Sequence, residues 1–311
     1  MTAPKLALAR LSIAGCAPFP ALVCGDRALP LAVVTGLRGW ASIDALFANW
    51  SHDEPLLADV DVTAGAPLSR FRVHAPLTPT TVYCTIGNYR AQVVEPARDV
   101  DSAANIDALH QALDLRRREG DPYVALKPVC AVADPFEPLV IDPTLKTLDW
   151  EVEIGVVIGK PARQITAAQA LAHVAGYCTV NDITLRERLF RVDPKAMGTD
   201  FLQAKGGPGW LPVGPWLVPA SQVPDASALR LTLKLNGRTM QYGIASDMLF
   251  GIAEQIAYLS HHVELSPGDL ICTGSPAGFG SHHGRYLRPG DVIEAEVEGL
   301  GLQRVQVTSS H

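Results

Sequence analysis

The sequence lacks the features that mark membrane-spanning and nucleic-acid-binding proteins. No stretch of its 311 residues reaches the roughly 18 uninterrupted apolar residues that a membrane-spanning helix needs. No basic tract is present, and the formal net charge of −6 argues against nucleic acid or an anionic membrane as the main partner. We therefore expect neither a nucleic acid nor a membrane as a partner.

Cysteine is scarce and scattered, and no C-x-x-C pair occurs. The six cysteines are Cys16, Cys24, Cys84, Cys130, Cys178 and Cys272. These spacings exclude a disulfide framework and argue against a thiolate zinc site, so reduced thiols in a cytoplasmic protein are expected. A signal peptide is also not predicted, because Arg10 interrupts the mildly apolar start, which is more typical of a first strand.

Short apolar runs separated by Gly and Pro turns predict an α+β, mainly β protein rather than repeated βαβ units. Residues 1–75 show no visible chemistry and are interpreted as a small N-terminal domain. A Pro/Thr-rich stretch at 75–81 resembles a linker. Residues 80–311 are denser in strands and glycine turns, and they form the predicted catalytic domain.

Three segments have helical signatures. Residues 101–119 place apolar side chains at helical spacing and end at Gly120. Thr166-Ala-Ala-Gln169 fits a capping box, which predicts a helix running to about Gly176. A third helix is expected after Ser246 or Asp247, with one apolar face formed by Ile252, Ile256 and Leu259.

Two glutamates in one apolar segment give the clearest chemical signal. Glu151 and Glu153 flank Val152 just before the apolar run 154–158. On a strand these two side chains point to the same face, and neighbouring carboxylates repel unless a cation neutralises them. A third acid, Asp182, follows the apolar stretch 175–180, and it would join them if the two strands are neighbours. Three carboxylates suit Mg²⁺ or Mn²⁺ better than zinc.

The spacing alone leaves a simpler interpretation open. Alternating glutamates on a strand are often a solvated face, and an Asp after a strand is often a turn residue or a helix cap. A carboxylate cluster without a metal would then be purely structural.

Four segments resemble the signature blocks of the fumarylacetoacetate hydrolase superfamily and occur in that family's order. They are Asp149–Lys160, Val180–Arg186, Thr273–Gly280 and Leu287–Asp291. The resemblance covers about residues 80–305. It implies a mixed β-roll catalytic domain, commonly a homodimer, with Mg²⁺ or Mn²⁺ bound by Glu151, Glu153 and Asp182.

The same resemblance implies roles for residues around the metal. Lys205 would stabilise an oxyanion or enolate, as a compact cation near the metal can. The planar fork of Arg186 would clamp a substrate carboxylate. Ser275, Tyr89 and Gly206 complete the expected substrate contacts.

One position departs from the family pattern. Many relatives carry Asn-Tyr-x-x-His-x-x-Glu, in which the His and Glu activate water. Here Glu95 is in place but Gln92 stands where His is expected, and a glutamine can only orient water. Either Glu95 takes the proton alone, another base serves, or the reaction needs no activated water. The candidate bases are His261, His262, His282 and His283. For His282 and His283, which follow Gly280 in a loop, exposed loop residues are the simpler interpretation.

These residues predict an enzyme acting on a 2-oxo acid. The leading hypothesis is a metal-dependent hydrolase that cleaves a C–C bond in an acylpyruvate-like substrate. Decarboxylation, isomerisation or hydration would use the same enolate, and the glutamine substitution makes these alternatives nearly equal to hydrolysis. A catalytically weakened ligand-binding homologue is a third possibility. The charged, helix-prone segment 92–120, which contains Pro96, is a candidate lid.

Overall fold

Short strands outnumber helices in the computed structural model, which describes residues 6–34, 42–98, 103–191 and 198–310. The strands are β1 (Ala7–Ser12), β2 (Phe19–Cys24), β3 (Arg27–Pro30), β4 (Ala66–Pro67), β5 (Arg72–His74), β6 (Val82–Ile86), β7 (Tyr123–Lys127), β8 (Val132–Ala133), β9 (Leu139–Ile141), β10 (Leu148–Asp149), β11 (Val152–Ile158), β12 (Val174–Asn181), β13 (Thr184–Leu185), β14 (Leu211–Pro212), β15 (Val218–Pro219), β16 (Arg230–Leu235), β17 (Arg238–Ile244), β18 (Leu270–Cys272), β19 (Val292–Val297) and β20 (Gly301–Ser309).

The α-helices are fewer and mostly short. They are α1 (Ile43–Phe47), α2 (Trp50–Leu57), α3 (Arg90–Arg98), α4 (Ala103–Glu119), α5 (Ala167–Ala170), α6 (Phe201–Lys205) and α7 (Ile252–His262). The α+β, mainly β fold predicted from the sequence is therefore confirmed. None of the helices in these described ranges is long and apolar enough to cross a bilayer.

The N-terminal segment forms its own antiparallel sheet. Its strand order is β4-β3-β2-β1-β5, and β1 confirms the strand predicted at the start of the chain. Leu8 of β1 exchanges backbone hydrogen bonds with Leu217, so this sheet is joined to the larger part of the protein. The division into domains 1–75 and 80–311 stays a prediction.

A six-stranded sheet of order β15-β12-β11-β18-β6-β7 lies at the centre of the larger part. Every residue of β11 and β12 is buried. These strands pack against the five-stranded sheet β17-β16-β19-β20-β9. Val152, Ile154 and Val156 belong to the apolar cluster shared with that sheet, whereas Val157 belongs to the cluster shared with the N-terminal segment. Glu153, which alternates with Val152 and Ile154, therefore faces away from the five-stranded sheet.

The predicted helices are found, with two differences in their bounds. α4 ends at Glu119 as predicted, while residues 101 and 102 of the prediction lie outside the described part of the chain. The predicted capping box at Thr166 is present, but α5 ends at Ala170 instead of continuing to Gly176. The reason is that β12 begins at Val174, where its residues pair with β11. α7 begins at Ile252, after a 3₁₀ turn at 245–247, and buries the three predicted apolar residues.

Candidate metal and active site

Three carboxylates meet beside the pairing of β11 and β12. Glu151 directly precedes β11, Glu153 is the second residue of β11, and Asp182 directly follows β12. The antiparallel register pairs Val152 with Asn181, and the Asp182 N–H donates to the Glu151 carbonyl oxygen at 2.8 Å. One oxygen from each of the three carboxylates lies within 4.8 Å of the other two. The condition set by the sequence, that the two strands are neighbours, is met.

All three acids are buried. Glu151 is 7% exposed, and Glu153 and Asp182 are each 1% exposed. The solvated strand face that the spacing left open is therefore excluded for this pair of glutamates. Buried like charges are costly unless cations or hydrogen bonds compensate them, so the surroundings of each carboxylate decide its charge.

Two buried lysines hold Asp182 from both of its oxygens. The Lys205 ammonium lies 2.5 Å from Asp182 Oδ2, 3.4 Å from Glu151 Oε2 and 2.7 Å from Thr184 Oγ1. Lys127, at the end of β7, donates to Asp182 Oδ1 at 2.7 Å and to the Ile183 carbonyl oxygen at 3.0 Å. Both lysines are 2% exposed. Lys205 is thus part of the carboxylate cluster and not a surface lysine.

Arg186 contacts the same cluster through Glu151, whose other carboxylate oxygen faces Lys205. Its Nε donates to Asp149 Oδ2 at 2.9 Å, and its Nη2 lies 2.8 Å from Glu151 Oε1, an ion pair whose angle does not make a hydrogen bond. The guanidinium stacks on the Phe279 ring, 4.3 Å from its centroid. Asp149 also accepts from the Gly280 N–H at 2.8 Å. The charge of Arg186 is therefore already engaged by two carboxylates of the protein.

The neighbouring charges give the acids different proton affinities. Burial raises the pKa of Asp182, but Lys127 and Lys205 lower it further, so that the net pKa lies below its ordinary value. Burial, Asp182 and Glu151 together raise the pKa of Glu153 well above its ordinary value. Glu153 accepts one hydrogen bond, from the Gly274 N–H at 2.8 Å, and has no ion pair within the described ranges. Glu153 is therefore the carboxylate that most needs a further cation.

The donor set fits a hard divalent ion. Four buried carboxylates, counting Asp149, face the three cations of Lys127, Lys205 and Arg186. With all four carboxylates ionised, the negative charges would exceed the positive ones by one, and the candidate ligand atoms of the three clustered acids are all oxygens. Carboxylate oxygens without His or Cys are the ligands typical of Mg²⁺ and Mn²⁺.

A small cavity of about 40 Å³ opens onto this cluster. Its polar lining includes Gln92, Glu151, Arg186, Lys205 and Ser275. This volume has room for only a few water molecules. An ordinary ligand pocket is larger, at roughly 300 Å³ or more. A groove of about 640 Å³ against α7 contains none of the three clustered carboxylates. We therefore place the candidate reaction at the smaller cavity, where the charged groups converge.

The predicted substrate contacts differ in their placement. Ser275 lines the cavity, and its hydroxyl donates to the Val152 carbonyl oxygen at 2.9 Å while accepting from Gln241 at 2.8 Å. Tyr89 is 2% exposed and its hydroxyl has no hydrogen-bond partner among the described residues. Gly206 follows α6, where its N–H donates to the Leu202 carbonyl oxygen. Their roles toward a substrate stay predictions.

Gln92 and Glu95 lie one helical turn apart on α3. Gln92 lines the cavity. The Glu95 side chain is 13% exposed, and its Oε2 accepts from the Gly278 N–H at 2.8 Å. Its Oε1 lies 3.7 Å from His282 Nε2. The structure thus brings His282, one of the candidate bases, to Glu95, a contact that the sequence did not predict.

Lys127 and Asp149 are the other functional candidates that the sequence did not reveal. Lys127 ends a short strand and precedes a proline, a position typical of a solvated lysine, and its contact with Asp182 spans 55 residues. Asp149 lies in the same segment as the two glutamates, which was its only signal. Both act through partners distant in the chain, so no local pattern marks them.

Comparisons with known proteins agree with this geometry. The model of the fumarylacetoacetate (FAA) hydrolase C-terminal domain matches residues 81–308. A 2,4-didehydro-3-deoxy-L-rhamnonate hydrolase of Sphingomonas sp. (strain SKA58) is 39% identical over 191 residues, which are 60% of this chain and 65% of that enzyme. A proposed hydrolase of Burkholderia multivorans (strain ATCC 17616 / 249) is 36% identical over 270 residues, 85% of this chain and 92% of that protein.

A solved structure extends the likeness to nearly the whole chain. It is that of a probable 2-hydroxyhepta-2,4-diene-1,7-dioate isomerase from Mycobacterium abscessus, with a TM-score of 0.77 and 31% identity, covering 98% of this chain and 99% of that one. The relatives thus include a hydrolase and an isomerase. With a family model matched over residues 81–308 and a buried acidic triad in the matched region, the chain belongs to the fumarylacetoacetate hydrolase family.

Proposed function

We propose that this protein is a divalent-metal-dependent hydrolase that cleaves a C–C bond in an acylpyruvate-like or other 2-oxo acid. The observation that carries the proposal is the buried cluster of Glu151, Glu153 and Asp182 at the edge of a cavity, with Lys205 among them. Within the described ranges Glu153 has no ion pair, so its carboxylate is available to a metal ion that displaces its proton.

Glu151, Glu153 and Asp182 would hold Mg²⁺ or Mn²⁺ as oxygen ligands. Such an ion, when bound, supplies Lewis acidity that polarises the keto group of a 2-oxo acid and stabilises negative charge on its oxygen. Lys127 and Lys205 keep Asp182 ionised for this purpose, and Arg186 fixes the orientation of Glu151 through its Nη2. These residues position the ligands before the ion arrives.

The remaining cavity residues would bind and orient the reactants. The Lys205 ammonium places positive charge where an enolate oxygen develops negative charge. The Gln92 amide orients a water, and the Ser275 hydroxyl can accept a further hydrogen bond from a substrate group. A cavity this small must widen to admit a substrate, which is consistent with movement of the candidate lid at 92–120. α3 and α4 are the described parts of that lid, and its residues 99–102 lie outside the described ranges.

A second candidate is isomerisation or decarboxylation of a 2-oxo acid. Gln92 favours it, because a glutamine at the cavity cannot take a proton from water. The similarity to both a hydrolase and an isomerase keeps both reactions in the same family. The two candidates differ in whether water is consumed.

Product analysis separates them. Protein stripped with a chelator and reloaded with Mg²⁺ or Mn²⁺ is given acylpyruvates, oxaloacetate and 2,4-didehydro-3-deoxy-L-rhamnonate. A carboxylic acid and a shorter 2-oxo acid indicate hydrolysis, CO₂ indicates decarboxylation, and an isomeric product indicates isomerisation. Glu153→Gln should abolish turnover and Glu298→Gln, at an exposed position, should not.

A ligand-binding homologue would behave differently. Metal and 2-oxo acids would raise its thermal stability without any product, and this result would contradict the proposed enzyme. The homodimer that the resemblance implies is part of the proposal, and light scattering of the metal-loaded protein measures it.

A further inference from the structure

His282 and Glu95 form a contact that neither the family match nor the cavity lining explains. Glu95 belongs to α3, whereas His282 belongs to the loop that follows Phe279. His282 Nε2 lies 3.7 Å from Glu95 Oε1. This separation is longer than a direct hydrogen bond, and a side-chain movement of less than about 1 Å would close it.

Backbone contacts hold both partners near the cavity. The Gly278 N–H donates to Glu95 Oε2, and the His282 N–H donates to the Phe279 carbonyl oxygen at 3.1 Å. Phe279 itself lines the cavity, and Gln92, one turn before Glu95, lines it as well. The loop and the helix that carry the pair are therefore the same elements that carry two walls of the site.

Exposure increases from the cavity outward along these residues. The Glu95 side chain is 13% exposed and the His282 side chain is 36% exposed. Glu95 is therefore a partly buried acceptor one turn from the cavity, and His282 connects it to solvent. The other ionisable group adjacent to His282 in the described loop is His283, whose ring centroid lies 5.2 Å away.

Resting on the proposed hydrolysis, we propose that Gln92, Glu95 and His282 form a proton relay in which Gln92 orients water, Glu95 takes its proton and His282 exchanges that proton with solvent. His282 is a positioning residue that acts through Glu95, and an imidazole is suited to exchange because one ring nitrogen can take up a proton while the other releases one. The relay supplies the proton transfer that a glutamine at the cavity cannot perform.

The step balances without any further reactant. An O–H bond of water breaks as the oxygen bonds to the acyl carbon, and the proton moves to Glu95. The C–C bond then breaks with its electron pair left on the 2-oxo acid fragment as an enolate. The enolate carbon takes the proton back through the relay, which gives a carboxylic acid and a 2-oxo acid.

Turnover of metal-loaded variants tests the relay. His282→Gln should lower kcat by about 10- to 100-fold, less than the roughly 10²–10⁴-fold of a lost general base because Glu95 remains, with little change in KM. His283→Gln, the adjacent control, should change kcat by less than about twofold. Added imidazole should restore part of the His282→Gln activity, and so should Gln92→His in the same chain, because it places a titratable ring at the cavity. A structural loss would respond to neither rescue.

A second readout is independent of activity. The ¹⁵N shifts of the His282 ring, assigned with His282→Gln, should show the proton on Nε2, and Glu95→Ala should redistribute it between the two nitrogens. Unchanged ring shifts in Glu95→Ala, or wild-type kcat in His282→Gln, would overturn the relay. Wild-type protein that turns over no 2-oxo acid would overturn the proposed function itself, and the ring shifts would still decide whether the pair exists.

Discussion

Lys127 and Lys205 grip opposite oxygens of one buried carboxylate, that of Asp182. Lys127 Nζ lies 2.7 Å from Oδ1, and Lys205 Nζ lies 2.5 Å from Oδ2. The lysines come from β7 and α6, which are neighbours in space. Asp182 is therefore ionised before any metal binds. Its carboxylate is a fixed negative charge at the end of β12, beside Glu151 and Glu153.

Removing Lys127 should cost stability that a metal ion can partly restore. Lys127→Met leaves a buried carboxylate with one cation fewer, and breaking a buried ion pair from one side typically costs about 3–5 kcal/mol. We expect a lower midpoint of urea unfolding in the chelator-treated variant. Saturating Mn²⁺ should raise that midpoint more in Lys127→Met than in the wild type, because the ion replaces missing positive charge.

The control for this variant is Lys234→Met, at an exposed position of β16. It should stay within about 0.5 kcal/mol of the wild type. If Lys127→Met unfolds like the wild type with and without Mn²⁺, the ammonium is not compensating Asp182.

Glu153→Gln should weaken metal binding and yet stabilise the metal-free protein. The pKa of Glu153 is raised by burial and by its acidic neighbours, so the folded state holds a proton that the unfolded state releases above about pH 4.5. Stability of the metal-free wild type therefore falls as pH rises from that value through the raised pKa. Glutamine cannot ionise, so thermal unfolding at pH 8 should occur at a higher temperature in the variant.

The same variant should bind Mn²⁺ at least about 100-fold more weakly, since losing only an outer partner of a ligand costs about 10–100-fold. Isothermal titration measures this loss. Asp182 has the opposite pH dependence, because its pKa is lowered: it contributes stability above about pH 3.8 that is lost as pH falls below it. A metal-free variant that is less stable than the wild type at pH 8 would contradict the assigned direction for Glu153.

Replacing Gly274 should weaken metal binding. Its φ of +96° is one that side chains rarely adopt, and an added Cβ would lie 2.7 Å from Asn88 Cβ. Gly290 has nearly the same φ, +95°, with nothing within 4 Å of its would-be Cβ. Both Gly→Ala changes should cost about 1–3 kcal/mol of backbone strain. Only Gly274→Ala should also weaken Mn²⁺ binding, because the Gly274 N–H holds Glu153.

Urea unfolding of the two alanine variants measures the cost of backbone strain, and isothermal titration measures the effect of the Gly274 N–H on Mn²⁺ binding. Equal Mn²⁺ affinity in both would mean that the Gly274 N–H has no part in placing Glu153.

Local sequence patterns predicted the parts of the site that depend on neighbours in the chain. The alternation of Glu151 and Glu153 about Val152 fixed their common face, and the end of an apolar run located Asp182. Whether the strands paired was a condition that the sequence left open. The family resemblance supplied Lys205, whose burial no periodicity shows.

The parts that escaped prediction depend on contacts between distant segments. Lys127 meets Asp182 across 55 positions, and His282 meets Glu95 across a longer span. The end of α5 at Ala170 was missed because β-sheet pairing from Val174 onward overrides the helical pattern that precedes it. The pairing of β12 with β11 forms only in the folded sheet, so the local sequence around Ala170 does not predict it.

The contacts of Arg186 in the structure differ from the role that the family resemblance implies. The resemblance implies that it clamps a substrate carboxylate, whereas the structure engages it with Asp149, Glu151 and the Phe279 ring. Arg186→Lys keeps the charge but loses the planar fork and the stacking. If its main task is to hold Glu151, Mn²⁺ affinity should fall about 10–100-fold, as for other outer partners of metal ligands. If it binds substrate, KM should rise while Mn²⁺ affinity stays unchanged.

We expect the loss of Mn²⁺ affinity. The control, Arg188→Lys, at an exposed position of the same segment, should alter neither Mn²⁺ affinity nor KM.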